Sequence, residues 1–438
     1  MKHEDNSLIG LIEEIWRLPR DIISPAYDTA LKTVERECLL LNSFEKRSSF
    51  KTHEYPTGTE AYTWIVPEEW VCQEAYLSTV DGKRIFSYED HPLHCVSYSL
   101  PFNRIVSREE LFRHLYTHPH LQDAIPFKFK YYERDWGLCC SEKIKNTLVD
   151  EKYKVVINTS FKKGTLKVGE FILPGKSEES FVLCAHLCHP AMIQDDVTGV
   201  VAGIEVMRRL ALISDRRYTY RFLVLPETIG SICWLSSHEH LHKKIVGGLF
   251  LEMLGIDNPI ALQLSYDGNA QIDKVFKQTI KEKDPYSWYD DFNQIIGNDE
   301  RQFNSPGIRI PMLSMSRVYK KETGLWPYPQ YHSSHDNMET LSIERLVSSI
   351  NTAFEMLRNF EMNKKIVNKY KGEVFCSRYN MHIDFYKDPQ GNENLFKILG
   401  LIDGTNSVID IVEKTKSNFS SVSKLLNKMI ESKLVEMV

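Results

Sequence analysis

The sequence predicts an α/β fold: a mostly parallel sheet with helices on both faces. Two observations carry this reading. From Tyr131 to about residue 362, strand-like apolar runs alternate with helix-like patterns, and such alternation builds parallel sheets covered on both sides. Three of those runs also end abruptly in ionisable residues. Phe181-Val-Leu-Cys-Ala ends in His186-Leu-Cys-His189, Tyr220-Arg-Phe-Leu-Val-Leu-Pro226 in Glu227, and Gly248-Leu-Phe-Leu251 in Glu252. Polar residues at the carboxyl ends of buried parallel strands are where such sheets bind ligands.

At 438 residues and 42% hydrophobic content, the chain is long enough for two or three domains with real cores. Residues 8 to 45 space their apolar side chains by three and four (Leu8, Leu11, Ile12, Ile15, Trp16), which predicts helices. Residues 60 to 106 change character to short strands and tight turns, among them Trp64-Ile-Val-Pro and the turn Asp81-Gly82. A brief helix is expected from Arg108 to His118. The resulting division is a main α/β domain over 1–50 and 126–362, with a small β-rich domain inserted at 51–125. The charged stretch 363–371 reads as a linker or helix end. Beyond it, three short helices (394–400, 407–415 and 420–432) and a terminal strand from Leu434 resemble a winged-helix domain, placed at 370–438.

Composition excludes several functions. A net charge of -5 gives no pull toward nucleic acid or anionic membranes, and no stretch is apolar enough to span a bilayer. The start, Met1-Lys-His-Glu-Asp-Asn6, lacks the layout of a secretory leader. Nine scattered cysteines read as free thiols in a reducing cytoplasm. In the C-terminal segment, Lys397, Lys414, Lys416, Lys424, Lys428 and Lys433 are interspersed with Asp403, Asp410, Glu413, Glu431 and Glu436. That mixture lacks the dense basic face that phosphate contact favours, so a protein-interaction or homo-oligomer role fits better than DNA binding.

The strand-end residues suit a zinc-type ion, since imidazoles and carboxylates are its ligands. Asp195 opens a helical pattern four residues before Gly199. Each of its carboxylate oxygens can serve a different cation; alone, Asp there is also a good helix cap. His186 and His189 lie three apart, so on a continuous strand they face opposite sides and only one points at a metal. If the chain turns at Cys188, both do. Glu227 beside a metal can take a proton from water and later deliver it to a leaving amine. Glu252 ends the third run, and His332 and His335 both lie in Tyr331-His-Ser-Ser-His-Asp336. Asp299-Glu300-Arg301-Gln302 supplies a candidate substrate site, with Glu300 for an amino group and Arg301 for a carboxylate.

These patches, in this order, resemble those of the co-catalytic zinc aminopeptidase family, which has a three-layer α/β/α, phosphorylase-like fold. That family carries a strand ending in His-x-Asp, an Asp-x-x-Ser-Gly bridging motif and a Glu-Glu pair. An Asp or Glu before Met and a late Tyr-His-Thr/Ser follow, with Asp four residues after the histidine. Here Ala185-His-Leu-Cys188, Asp195-Asp-Val-Thr-Gly199, Glu227-Thr228, Glu252-Met253 and Tyr331-His-Ser-Ser-His-Asp336 take those places. The resemblance implies His332 rather than His335 as ligand. Two departures stand out: Thr228 replaces a metal-binding glutamate, and Cys188 replaces the Asp that orients the imidazole.

Nearly the whole chain is similar to a group of uncharacterised bacterial aminopeptidase-like proteins with an inserted small β domain and a C-terminal winged helix. The shared features include Pro92-Leu-His, Trp136-Gly-Leu-Cys, Cys188-His-Pro and Asp299-Glu-Arg-Gln. The recurrent Cys-His-Pro of that group favours His189 as a ligand, and its members are linked to polysaccharide or small-molecule biosynthesis. The resemblance implies a metallo-aminopeptidase-like hydrolase acting on a small peptide or aminoacyl amide. It implies one or two zinc ions held by His186 or His189 with Asp195, Glu252 and His332, and Glu227 as general base. Two other readings stand beside it: a single-zinc acyl-transfer or cyclisation enzyme of the same fold, and a retired enzyme serving as scaffold or regulator.

Overall fold

The structure, a computed structural model, describes residues 2–438; Met1, part of the amino-terminal stretch read above for a leader, lies outside them. In chain order the principal elements are α1 (Lys2–Trp16), α2 (Pro25–Leu40), β1 (Ser49–Pro56), β2 (Glu69–Ser78), β3 (Arg84–Ser87), β4 (Phe102–Ser107), β5 (Lys152–Lys162), β6 (Thr165–Leu173) and β7 (Ser180–His186). Then come α3 (Val197–Ala211), β8 (Thr219–Leu225), α4 (Ile229–Ser237), β9 (Ile245–Leu251), β10 (Ala261–Gln263), α5 (Gln271–Lys283) and β11 (Met312–Ser316). The chain ends with α6 (Ile343–Met362), β12 (Ile366–Asn368), α7 (Pro389–Gly400), α8 (Val408–Thr415), α9 (Phe419–Glu431) and β13 (Val435–Met437).

The chain divides into two units. The first runs to Tyr266 and resumes over Asp290–Ile350. Its central sheet has the order β1-β6-β8-β7-β9-β11-β10. The four middle strands β8, β7, β9 and β11 are parallel, while β1, β6 and β10 join antiparallel at the flanks. Every residue of β7 is buried, as expected for a strand covered on both faces. In β8, Phe222 lies under Gly203 of α3 and Leu225 under Gly230 of α4. Positions three apart on a strand face opposite sides, so α3 and α4 cover opposite faces. Leu31 of α2 meets Gly169 of β6 on the α3 side, since Gly169 pairs with Val224. The result is the expected three-layer α/β/α arrangement.

Helix starts carry their sequence signals. Ser24 caps α2, its hydroxyl accepting the Tyr27 N–H, and Pro25 opens the helix. The helix expected from Arg108 to His118 stops at His114, where the chain turns into a short strand at Leu115–Tyr116. A second, antiparallel sheet has the order β3-β2-β5-β4. It draws β5 from beyond residue 125, while β1, which straddles the start of the 51–125 segment, pairs with β6 of the central sheet. The chain crosses from one sheet to the other at Gly164, where a Cβ would sit 2.4 Å from the Glu69 Cβ.

The second unit comprises residues 267–289 and 351–438. Three helices precede a terminal strand, in the order the pattern predicts. The charged stretch 363–371 is not simply a linker. Its β-branched pair Ile366-Val367 forms β12, which runs antiparallel to β13. Ser407 and Asp410 form a reciprocal capping box at the start of α8. The Asn359 amide donates to the Thr279 hydroxyl at 3.0 Å, tying α6 to α5.

Candidate metal centre

The carboxyl ends of β7, β8 and β9 bring the predicted residues together, all within the first unit. Strand β7 ends at His186 and the chain turns at once, so His186 and His189 both face the site, with their Nδ1 atoms 3.1 Å apart. The spacing had offered two alternatives; the turn at Leu187-Cys188 realises the second. Cys188 is buried, and its sulfur accepts the Glu227 N–H at 3.1 Å. It also interacts with the His186 imidazole. A thiol therefore sits where the family's orienting aspartate is expected.

Asp195 is the centre of the cluster. Its Oδ1 lies 3.0 Å from His186 Nε2 and 3.8 Å from His189 Nδ1, and its Oδ2 lies 3.0 Å from His332 Nε2. None of these approaches has hydrogen-bond geometry. Both Asp195 oxygens and His332 Nε2 are buried polar atoms without a hydrogen-bond partner. Such groups are normally paired. Lone pairs that converge without bonding one another are what a cation's ligands present. Ligand atoms of His189, Asp195 and His332 lie within 4.8 Å of one another, as do those of His186, Cys188 and His189. Two nitrogens and an oxygen fit a zinc-type ion. Burial opposes the charge on Asp195, yet the surrounding imidazoles hold its carboxyl well below the ordinary range. Burial pushes His189 well below its usual pKa, which favours the neutral imidazole that ligates metals.

Capping falls to the next residue. Asp196 accepts the Gly199 N–H at 2.9 Å, which leaves the Asp195 side chain to the cluster. Gly199 lies so close to the Leu251 carbonyl that a Cβ would be 2.1 Å from it. Asp336, four residues after His332, accepts the backbone N–H groups of Gln194 (2.9 Å) and Asp195 (3.2 Å) and the Tyr328 hydroxyl (2.8 Å). It thereby fixes the approach of Asp195; burial lifts its own carboxyl to about 6. His332 stacks on Tyr331, with ring centroids 3.8 Å apart. His335 lies farther out, 38% exposed and 3.7 Å from Asp123.

Glu227 stands at the end of β8 with Oε2 3.5 Å from His189 Nε2, and its side chain is 32% exposed, so it is open to a substrate. Thr228, next in line, has φ 62° and donates its N–H to Asp299 at 2.8 Å. Glu252 is fully buried, but its oxygens are engaged. One accepts the Asn298 amide at 2.9 Å, the other the Ser314 hydroxyl at 2.9 Å. Burial raises its carboxyl to about 7.

The expected substrate pair divides. Glu300 is fully buried, accepting from the Asn298 N–H and the Gln263 amide. Its carboxylate is committed to holding the Asn298 turn rather than facing a ligand. Arg301 is exposed, with its Nε donating to the Asn298 carbonyl.

Three contributors carried no signal in the sequence. Arg20 is completely buried and donates to the carbonyls of Leu187 (2.9 Å) and Met192 (3.1 Å), bracketing the histidine loop. The Phe127 ring packs edge-to-face against both histidines, its centroid 5.2 Å from that of His189 and 5.4 Å from that of His332. Its N–H donates to the His332 carbonyl at 2.7 Å, and Ile125 and Ser334 exchange further bonds. The β-rich segment thus reaches the site at its exit. Asn298 is the third.

A family profile described as a domain of unknown function (DUF4910) matches residues 9–363. Over 435 residues the chain is 30% identical to a Clostridium acetobutylicum protein provisionally named for polysaccharide biosynthesis, with an aminopeptidase-like domain. That match covers 98% of this chain and 96% of the other. The crystal structure of a provisionally assigned peptidase from Clostridium acetobutylicum superposes with a TM-score of 0.87 at 29% identity, covering 100% of this chain and 97% of that one. A zinc aminopeptidase from Bacillus subtilis aligns with a TM-score of 0.60 at 15% identity, over 82% of this chain and 94% of that one. This last likeness is one of fold, the three-layer α/β/α fold expected from the sequence.

Proposed function

The chain belongs to the DUF4910 family, and on that premise we propose that it is a zinc-dependent, aminopeptidase-like hydrolase that cleaves an amide next to a free amino group. The observation that carries this reading is the convergence of His189, Asp195 and His332, whose ligand atoms meet without hydrogen bonding. The fold shared with zinc aminopeptidases supports it. A bound zinc ion would supply Lewis acidity and a water acidic enough to attack near neutral pH.

The chain's own residues do the rest. Glu227 Oε2, beside His189 and open to solvent, accepts the proton of the attacking water and returns it to the departing amine nitrogen. One water is thereby added across the amide, giving a carboxylate and a free amine. Arg301, exposed at the same end of the sheet, is placed to pair with a carboxylate on the substrate. Phe127 and Tyr331 pack against the histidines and limit water around them. The residues of the cluster all belong to the first unit.

Aminoacyl amides and short peptides, assayed with zinc and with a chelator, test this reading. Zinc-dependent release of a free amine is expected. Metal-independent turnover, or turnover undiminished in Glu227→Gln, would overturn the mechanism. Loss of ammonia from an N-terminal glutamine peptide would point instead to cyclisation, which Thr228 in place of a second glutamate keeps in view.

A further inference from the structure

Asn298 occupies a position that no part of the proposed reaction uses. Its Nδ2 donates to Glu252 Oε2 at 2.9 Å and lies 3.4 Å from His186 Nε2. His186 Nε2 is in turn 3.0 Å from Asp195 Oδ1. All four side chains are buried. Among the described residues no group of ligand atoms within 4.8 Å joins Glu252 to His186 and Asp195, and the Asn298 amide nitrogen is in contact with both Glu252 and His186. The other oxygen of Glu252 is taken by Ser314.

The amide is held there. Glu300, buried behind it, accepts the Asn298 N–H at 3.0 Å on each oxygen. The Asn298 carbonyl accepts from the Arg301 backbone and Nε. The orientation of the amide follows from its neighbours: turned over, its oxygen would face the Glu252 carboxylate. With Nδ2 turned toward Glu252, Asn298 Oδ1 is buried without a hydrogen-bond partner.

On the other side of Asp195 the opposite holds. Thr228, in the place of the expected second glutamate, offers no carboxylate, and its N–H is turned to Asp299. His189 stands near instead, with its ring stacked 5.3 Å from that of His332. His189, Asp195 and His332 make three protein ligands. Three ligands with one position left for water is the pattern of catalytic zinc sites, as against the closed four-ligand pattern of structural ones.

Resting on the proposed metal centre, we infer that the protein holds a single zinc-type cation on His189, Asp195 and His332, and that the Asn298 amide permanently fills the companion position beside His186 and Glu252. His186 is then a positioning residue that orients Asp195 and His189, not a ligand.

Elemental analysis of the full-length protein, loaded with zinc and desalted, tests this without reference to activity. Wild type is expected to retain close to one zinc ion per chain. His189→Ala should lose it and His186→Ala should keep it. Asn298→Asp, which exchanges the donor for a carboxylate, should raise the content toward two. Two ions in wild type, or one ion that depends on His186 and not on His189, would overturn the inference while leaving the metal centre intact. No ion in wild type would overturn the metal centre itself, and this inference with it. Cobalt substitution gives a second readout on wild type alone, because paired and isolated ions differ in their magnetic and visible spectra.

Discussion

Replacing Asp336 by Ala should destabilise the protein strongly, although the residue touches no ligand. Its carboxylate accepts the N–H groups of Gln194 and Asp195 and the Tyr328 hydroxyl. All three donors are left buried in the variant, at roughly 2 kcal/mol each, or about 6 kcal/mol together. Against this stands relief of the wild-type charge. The Asp336 carboxyl is lifted by burial to about 6 from 3.8, so at pH 8 the folded protein bears about 3 kcal/mol of unfavourable ionisation. The net loss at pH 8 is then about 3 kcal/mol.

The sign of the pH dependence follows. A carboxyl with a raised folded pKa binds its proton more tightly in the folded state, so wild type loses stability as pH rises from about 4 through about 6. At pH 5 only about half of the ionisation cost is present, and the net loss in the variant grows to about 4 to 5 kcal/mol. Urea unfolding of wild type and Asp336→Ala at both pH values, in chelator so that metal binding does not enter, measures this. A loss below about 1 kcal/mol at both pH values, or a larger loss at pH 8 than at pH 5, would refute the reasoning.

Three further outcomes are expected. Glu227→Gln should lower kcat by roughly 10² to 10⁴ while zinc content stays that of wild type, since the residue moves a proton and holds no metal; parallel kinetics and elemental analysis separate the two. Asp21, fully buried with its carboxyl lifted to about 7, makes wild type less stable as pH climbs from about 4 to 7, by up to about 4 kcal/mol. Asp21→Asn should flatten that decline in urea midpoints, and an unchanged slope would contradict it. Gly203→Ala places a Cβ 2.3 Å from the Phe222 ring; the overpacking should cost about 1 to 3 kcal/mol and lower Tm by several degrees.

The sequence shows the site's carboxyl-end residues because local chemistry marks them. Apolar runs such as Phe181-Val-Leu-Cys could only be buried strands, and a polar residue at the end of each is conspicuous. That His186 and His189 would both face the site was not legible from spacing, because it turns on where β7 ends. Arg20 and Phe127 were invisible for a different reason. Their partners lie far along the chain, Arg20 to Leu187 and Phe127 to His332, and no local pattern announces such a pairing. Asn298 sits beside the charged pair Glu300-Arg301, and a neutral amide there carries no local sign that it will reach Glu252. The small sheet was legible as strands, but its completion by β5 was not, since strand pairing is a long-range choice.

The ladder between Ile125–Phe127 and His332–Ser334 sets a limit on when the centre can exist. Its parts are spread from Arg20 to Asp336, and His332 is placed only once its loop has met the segment around Phe127. During synthesis the chain must be complete past Asp336 before the cluster can close, and contacts of such long separation are slow to form. A nascent or truncated chain lacking that loop carries the strand-end histidines but not the assembled cage. Newly made chains therefore lack the His189–Asp195–His332 cluster until that loop has docked.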